Sequence, residues 1–376
     1  MLLQPELLSS AETGESPAFL QEQLITYIGN KRSLLPFIGN AVRLVQHRTG
    51  KQKLKILDLF SGTGIVSRYL KQFSVKLHVN DLEAYSRITN ECYLSNVVNL
   101  DIKLLQSTLS YIECEIEKNW TEGFICDLYA PKNENHITKD DRVFYTRRNA
   151  AYLDTARISI EKLPTEIQKY FLAPLIAKAS VHANTSGVFK GFYKNTKGIG
   201  QFGGTGKDAL SRILGEIKIP LPVFSRFECE IHVHQKDANQ LAKSIQEVDL
   251  AYFDPPYNQH PYGSNYFMLN LLVDYNRPEE TSKVSGIPTG WNRSRYNQRA
   301  EAAKALFDAV EACPARFILI SYNSEGFINQ DQFMARLNRL GKVEVCETQY
   351  NTFRGSRNLR NRATHVTEFL YLLQKA

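Results

Sequence analysis

Paired cysteines, metal-ligand spacing and long apolar runs are all missing from this 376-residue chain. Six cysteines are scattered without one C-x-x-C pair. That argues against a zinc site and a disulfide framework, and for a reducing compartment in which most of them are small buried hydrophobes. None of the eight histidines has ligand spacing; His232 and His234 alternate along one stretch and are expected on one face of a strand. No stretch of about 20 apolar residues could span a bilayer, and the N-terminus carries no signal-peptide pattern, so no membrane association is expected. Internal repeats and heptads are absent too. Acidic residues are slightly outnumbered, 39 against 46 basic, and the net charge of +7 is a mild hint of a polyanionic partner. Residues 1–20 mix Ser, Glu, Pro and Leu without a period and read as a weakly ordered tail.

What is present is a rhythm of β-branched apolar runs and helix-like stretches. Residues 54–59 (LKILDL) and 75–80 (VKLHVN) read as strands, flanked by helix-like segments at 32–46, 65–72 and 82–97. This alternation implies βαβ units and a parallel sheet. From about residue 110 to 222 the rhythm stops; helices are expected at 138–160 and 166–183, with a Gly- and Lys-rich stretch at 187–207. Strands return at 227–234, 249–253, 316–322, 342–350 and 367–373, with helices at 241–246, 297–313 and 330–340. The last two strands are joined by a loop with no room for a crossover helix and should pair antiparallel. The expected fold is therefore α/β: a Rossmann-like sheet of about seven strands, ending in an antiparallel hairpin and interrupted after its second strand by a mainly helical insert. The expected domains are a core of residues 21–110 and 223–376 and an insert of residues 111–222.

Three strand ends carry chemistry. Asp58-Leu-Phe60-Ser-Gly62-Thr-Gly64 leaves the first strand for a helix, and its glycines let backbone come close to a ligand and adopt positive φ. It lacks the third glycine of a dinucleotide fingerprint, so NAD is disfavoured. The second strand ends in Asn80-Asp81, where a carboxylate can accept from both hydroxyls of a ribose or cap the next helix. Asp254-Pro255-Pro256-Tyr257 follows the strand at 249–253. Its prolines stiffen the strand end and remove two amide donors, leaving the Asp254 carboxylate and the Pro255 carbonyl as acceptors beside an aromatic ring. Two acceptors and a ring suit a planar amino group. Holding both hydrogens of an adenine amine out of plane localises its lone pair and aims it at an electrophilic methyl. Gly198 to Gly203 also fits G-x-G-x-x-G, but follows no strand and reads as hinge glycines.

The ordered set resembles the α-group N6-adenine-specific DNA methyltransferases, the family that includes Dam and the FokI-type modification methylases. Tyr27-Ile-Gly-Asn-Lys31, with the apolar run at 34–38, is similar to the family's N-terminal motif. Residues 58–64 are similar to its cofactor loop and 254–257 to its catalytic loop, in the family's order, with a recognition insert between them. Residues 184–193 (NTSGVFKGFY) resemble part of the FokI-type insert. The resemblance covers about residues 21–100 and 225–376. It implies S-adenosyl-L-methionine as cofactor, contacted by Tyr27, Lys31, Asp58, Phe60, Gly62, Gly64, Asp81, Asp237 and Asp254. Lys31 would meet its carboxylate, Asp81 its ribose, and Asp237 its adenine end. It implies Asp254, Pro255, Pro256 and Tyr257 as the catalytic loop, with Tyr257 stacked on an adenine flipped from the duplex. A cytoplasmic, bacterial or phage-type enzyme follows, with a cognate restriction endonuclease as a further partner.

Double-stranded DNA is then the expected substrate. Residues 351–365 hold Arg354, Arg357, Arg360 and Arg362 and no acidic residue, suiting phosphate and base-edge contacts. Lys190 and Lys194 interleave with Phe189, Phe192 and Tyr193, either as a nucleic-acid surface or as a loop folding its aromatics inward. Arg293 and Arg295 add a third basic group. An RNA adenine methyltransferase, a cytosine-N4 methyltransferase and an enzyme acting on a protein amide share the same loop chemistry. A DNA-binding module with a dead methylase core ranks below these, because both loops are intact.

Overall fold

Local sequence and sheet position agree closely. In the computed structural model, which describes residues 14–204, 206–351 and 365–376, the apolar runs form strands β1 (Leu54–Asp58), β2 (Ser74–Asn80), β3 (Glu230–His234), β4 (Leu250–Phe253), β5 (Phe317–Asn323), β6 (Gly341–Asn351) and β7 (His365–Lys375). They make one sheet in the order β3-β2-β1-β4-β5-β7-β6. β1 to β5 run parallel, whereas β7 is antiparallel to both β5 and β6. The order reverses beside β1: β2 and β3 extend one way and β4 the other. Such a switch point opens a crevice at the carboxyl ends of the two central strands.

Alternation along the strands divides the core between two faces. Leu57, Ala251, Ile318, Ile320 and Leu373 bury against Leu241, Leu306 and Phe333 of the helices Ala238–Ser244, Arg299–Ala312 and Gln330–Leu337. Ile56, Leu77, Tyr252, Leu319 and Leu370 face the other way, toward the helices Leu35–Thr49 and Ile65–Leu70. The expected insert is continuous with this second core. Phe144, Tyr145, Leu153 and Phe171 belong to the same apolar cluster as Ile56. The boundary drawn at residues 110 and 111 falls inside one unbroken helix, Ile102–Lys118.

Other departures have local causes. The helix expected at 138–160 starts only at Arg147, where the Thr146 hydroxyl caps it by accepting from the Asn149 amide at 3.1 Å. The helix Phe267–Asp274 was not foreseen; its sequence FMLNLLVD is buried almost all round and shows no period. Residues 17–20 are not a loose tail: Pro17–Gln21 is a short helix with Phe19 and Leu20 buried. The fully buried Arg68 ties this segment down by donating to the carbonyls of Phe19, Glu22 and Gln23 at 2.9, 3.0 and 3.1 Å. That anchors the chain just ahead of Tyr27. Residues 1–13 lie outside the described residues. Among the described residues no helix is long and apolar enough to cross a membrane.

Candidate active site

The turn after β1 is stapled to its neighbours by backbone and short polar side chains. Leu59 N donates to Tyr252 O at 3.0 Å and Ser61 N to Asn80 O at 2.9 Å. The Asn80 side chain reaches from β2 to the carbonyls of Leu59 and Lys236, at 3.1 and 3.2 Å. These bonds hold the carboxyl ends of β1, β2, β3 and β4 around a single cleft of about 910 Å³, open mouth included.

Tyr27, Lys31, Phe60, Gly62, Asp81, Asp237, Asp254 and Pro256 all line that cleft. The glycine loop and the Asp-Pro-Pro-Tyr loop, about 190 residues apart in the chain, are thus walls of one cavity. Asp81 clasps the loop: its Oδ2 accepts from Gly62 N at 2.7 Å and its Oδ1 from Glu83 N at 3.0 Å. Each carboxylate oxygen keeps a further lone pair for a ligand hydroxyl. Lys31, only 3% exposed, lies 3.3 Å from Asp254 Oδ1 and 2.8 Å from Glu368 Oε1. Burial works to lower its pKa, but Asp254 and Glu368 together hold it well above the ordinary lysine value. Burial pushes the Asp254 carboxyl up to about 7; Lys31 opposes that rise and Glu368 adds to it.

Four expected site residues are not part of the lining. Asp58 is fully buried beneath the loop, where the Ser67 hydroxyl donates to its Oδ2 at 2.6 Å and burial raises its pKa to about 7. Pro255 is buried at the strand end. Tyr257 stands at the edge, with the Lys31 ammonium 5.7 Å from its ring centroid. Gly64 shapes the turn: its φ is +78°, and a Cβ there would lie 2.5 Å from Asn90 Oδ1. Asn90 cannot easily retreat, since its Nδ2 donates to Ser86 O at 2.9 Å and Ser61 Oγ at 3.1 Å. Gly64→Ala combines left-handed strain with overpacking, each worth about 1–2 kcal/mol or more, so a loss of about 2–4 kcal/mol is expected from a lowered urea midpoint. An unchanged midpoint would contradict this.

Among the lining residues that the sequence does not announce, Tyr262 and Glu83 bear most on the site. The Tyr262 ring stacks on Tyr27, with centroids 4.9 Å apart and planes within 5°. Nothing in the linear pattern announced this pair, whose members are far apart in the chain. Glu83 is buried on the cleft wall, accepting from Asn270 Nδ2 at 2.6 Å and Asn292 Nδ2 at 3.2 Å, and burial carries its pKa to about 7. An acid two residues beyond Asp81 was the available signal, masked by its place at a helix start.

Phe189 is buried and Phe192 packs against Phe144, 5.2 Å between centroids, so this loop turns those aromatics inward. Lys190 is exposed, and the Lys194 ammonium lies 4.9 Å from the Phe192 ring centroid. Arg293 and Arg295 are exposed, and Arg293 stacks on Trp291 at 4.5 Å. Their neighbours Asn292 and Ser294 line the cleft. Arg354, Arg357, Arg360 and Arg362 lie outside the described residues. His232 and His234 do share a face: both stack on His78, at 4.7 and 5.5 Å.

A family model of D12 class N6 adenine-specific DNA methyltransferases matches residues 27–335, from Tyr27 through the Asp-Pro-Pro-Tyr loop to the helix Gln330–Leu337. The chain belongs to this family. The methyltransferase is 29% identical over 360 residues to the type II methyltransferase M.NlaIII of Neisseria lactamica, covering 93% of this chain and 99% of that protein. It is 28% identical to the type II methyltransferase M.CviAII of Paramecium bursaria Chlorella virus 1, over 93% of this chain and 98% of the relative. Both alignments run essentially end to end, insert included. With the type II methyltransferase M.FokI of Planomicrobium okeanokoites it shares 26% identity over 363 residues, but only 52% of that protein is covered, so the methyltransferase corresponds to about half of it. The α-group resemblance and the adenine-specific DNA methyltransferase activity it implied are thereby established at family level.

Proposed function

We propose that the enzyme transfers a methyl group from S-adenosyl-L-methionine to N6 of an adenine flipped out of double-stranded DNA at a specific site, alongside a cognate restriction endonuclease. The observation that carries this reading is the shared cleft, in which Asp254 and Pro256 face Gly62 and Asp81. The lining suits such a donor. The Asp81 and Glu83 carboxylates offer acceptors to ribose hydroxyls, the Tyr27–Tyr262 stack offers a flat apolar wall, and Gly62 leaves room, since a Cβ there would press on the Tyr27 ring at 3.3 Å. When bound, S-adenosyl-L-methionine supplies a methyl group already activated on a sulfonium.

The chain's own residues then have a problem of orientation. The Asp254 carboxylate and the Pro255 carbonyl accept the two hydrogens of the amine and turn its lone pair toward the cleft. Tyr257 stacks on the extruded base, whose removal from the duplex costs a few kcal/mol. The surplus proton on the methylated nitrogen is acidic and leaves to solvent. The helices of residues 111–222 serve as the target-recognition region. Lys190, Lys194, Arg293, Arg295 and the arginines at 354, 357, 360 and 362 contact the phosphates and base edges.

The test is to methylate duplex DNA with labelled donor and digest it to nucleosides. N6-methyldeoxyadenosine as the labelled product is expected. Label on cytosine, or on RNA in preference to duplex DNA, would overturn the reading.

A further inference from the structure

Behind the catalytic loop lies a carboxylate that the methyl-transfer chemistry does not require. Glu368 sits on β7, paired with Asn323 of β5, and is fully buried. It lies beyond residues 27–335, the span matched by the family model. Its Oε1 takes the Lys31 ammonium at 2.8 Å and accepts from the Ser321 hydroxyl on β5. The other carboxylate beside that ammonium is Asp254, its Oδ1 at the longer distance of 3.3 Å. Lys31 is thus a bridge between the N-terminal segment, the catalytic loop and β7, and it sits nearer the carboxylate that is remote from the chemistry.

A buried ammonium needs its charge balanced and its three donors directed. One carboxylate would balance the charge. The second matters because of what Asp254 has to do. An ammonium with Asp254 as its only acidic partner would close to the charge-assisted distance of about 2.8 Å and pull the Asp254 carboxylate out of the orientation in which it meets the amine. We propose that Glu368 is a positioning residue for methyl transfer: it draws the Lys31 ammonium back from Asp254, so that Asp254 keeps a cation beside it without being pulled from the orientation that meets the target amine. This rests on Asp254 being the amine acceptor.

The ionisable groups facing Asp254 are Lys31 from the N-terminal segment, Glu368 from β7, Asp58 from β1, Tyr252 from β4 and Tyr262 beyond the catalytic loop. Glu368 works to keep Asp254 protonated and Lys31 to keep it ionised. Glu368→Gln removes the first influence and leaves the second, so the acid limb of the kcat profile moves to lower pH. At the same time the collapsed Lys31 contact lowers kcat at the optimum.

The experiment measures kcat against pH for the full-length enzyme on duplex DNA, with S-adenosyl-L-methionine binding followed by calorimetry. Glu368→Gln is expected still to bind the donor and to lose about 10- to 100-fold in kcat, the scale of a sub-ångström to 1 Å misplacement. Glu368→Asp, which keeps the charge, should recover part of the loss. Should Glu368→Gln fail to fold, Ser321→Ala removes only the hydroxyl that aims Glu368 and is expected to cost about three- to tenfold in kcat; parental kcat there overturns the proposal. A Glu368→Gln enzyme with parental kcat, or with lowered kcat but an unmoved acid limb, overturns it as well, provided Asp254→Ala is inactive. Turnover by Asp254→Ala would instead overturn the amine-acceptor reading itself.

Discussion

Asp254→Ala is expected to lower kcat at least about a thousandfold, the equivalent of about 4 kcal/mol of transition-state stabilisation. The carboxylate is the only charged acceptor that the Asp-Pro-Pro-Tyr loop directs into the cleft, and an alanine methyl cannot hold an amine hydrogen. The fold should survive, because Lys31 keeps Glu368 as its partner at 2.8 Å. Methyl incorporation into duplex DNA, with a thermal melt as control, decides the matter. Turnover within tenfold of the parent by a folded variant would refute the role.

The same residue sets a pH dependence. With its carboxyl pushed by burial up to about 7, Asp254 passes from mostly protonated to mostly ionised across neutrality. The acceptor role needs the ionised form, so kcat should rise as pH increases through about 7 and level off above it. Stability runs the other way. A carboxyl whose folded pKa is raised binds its proton more tightly when folded, so its contribution is present at low pH and is lost as pH rises from the ordinary carboxylate range through about 7. Asp58 and Glu83, both also raised to about 7 by burial, act in the same sense. The enzyme is therefore expected to gain activity and lose stability across one interval; parallel trends would contradict the assignment.

Lys31→Met is expected to destabilise the protein by about 3–5 kcal/mol, the cost of removing one partner from a buried ionic cluster. Two carboxylates, one fully buried and the other 17% exposed, would be left facing each other without their cation. The loss should be greater at alkaline than at acidic pH, because Asp254 without Lys31 is tolerated best when protonated. Urea titrations at two pH values provide the measurement. A change below about 1 kcal/mol, typical of exposed ion pairs, would show that the cluster is better solvated than its burial implies.

Much of the site could be read directly because its parts are local. A glycine turn, a strand-end acid and a proline-stiffened loop each announce themselves within a few residues, and each needs only its own strand to be aimed. The antiparallel pairing of β6 with β7 was equally readable, since a short connection cannot cross over a sheet. Glu368 could not be read this way. In the chain it is one acid in an apolar strand; its role exists only because β7 inserts between β5 and β6, bringing it to Ser321 and Lys31. Tyr262 is similar, since its stacking on Tyr27 depends on where the N-terminal segment is pinned by Arg68. The helices between β2 and β3 looked separate because their charges and aromatics break the βαβ rhythm, yet Phe144 and Phe171 bury in the sheet's own core.

The chain's linear order was sufficient to determine the strands, the glycine turn and the Asp-Pro-Pro-Tyr loop, because backbone stiffness and strand periodicity act over a few residues. Tertiary structure alone decided which charges share the buried space behind that loop. Burial, distance and ion pairing are properties of neighbours in space, and the residues brought together here, Lys31, Asp254 and Glu368, come from the beginning, the middle and the end of the chain.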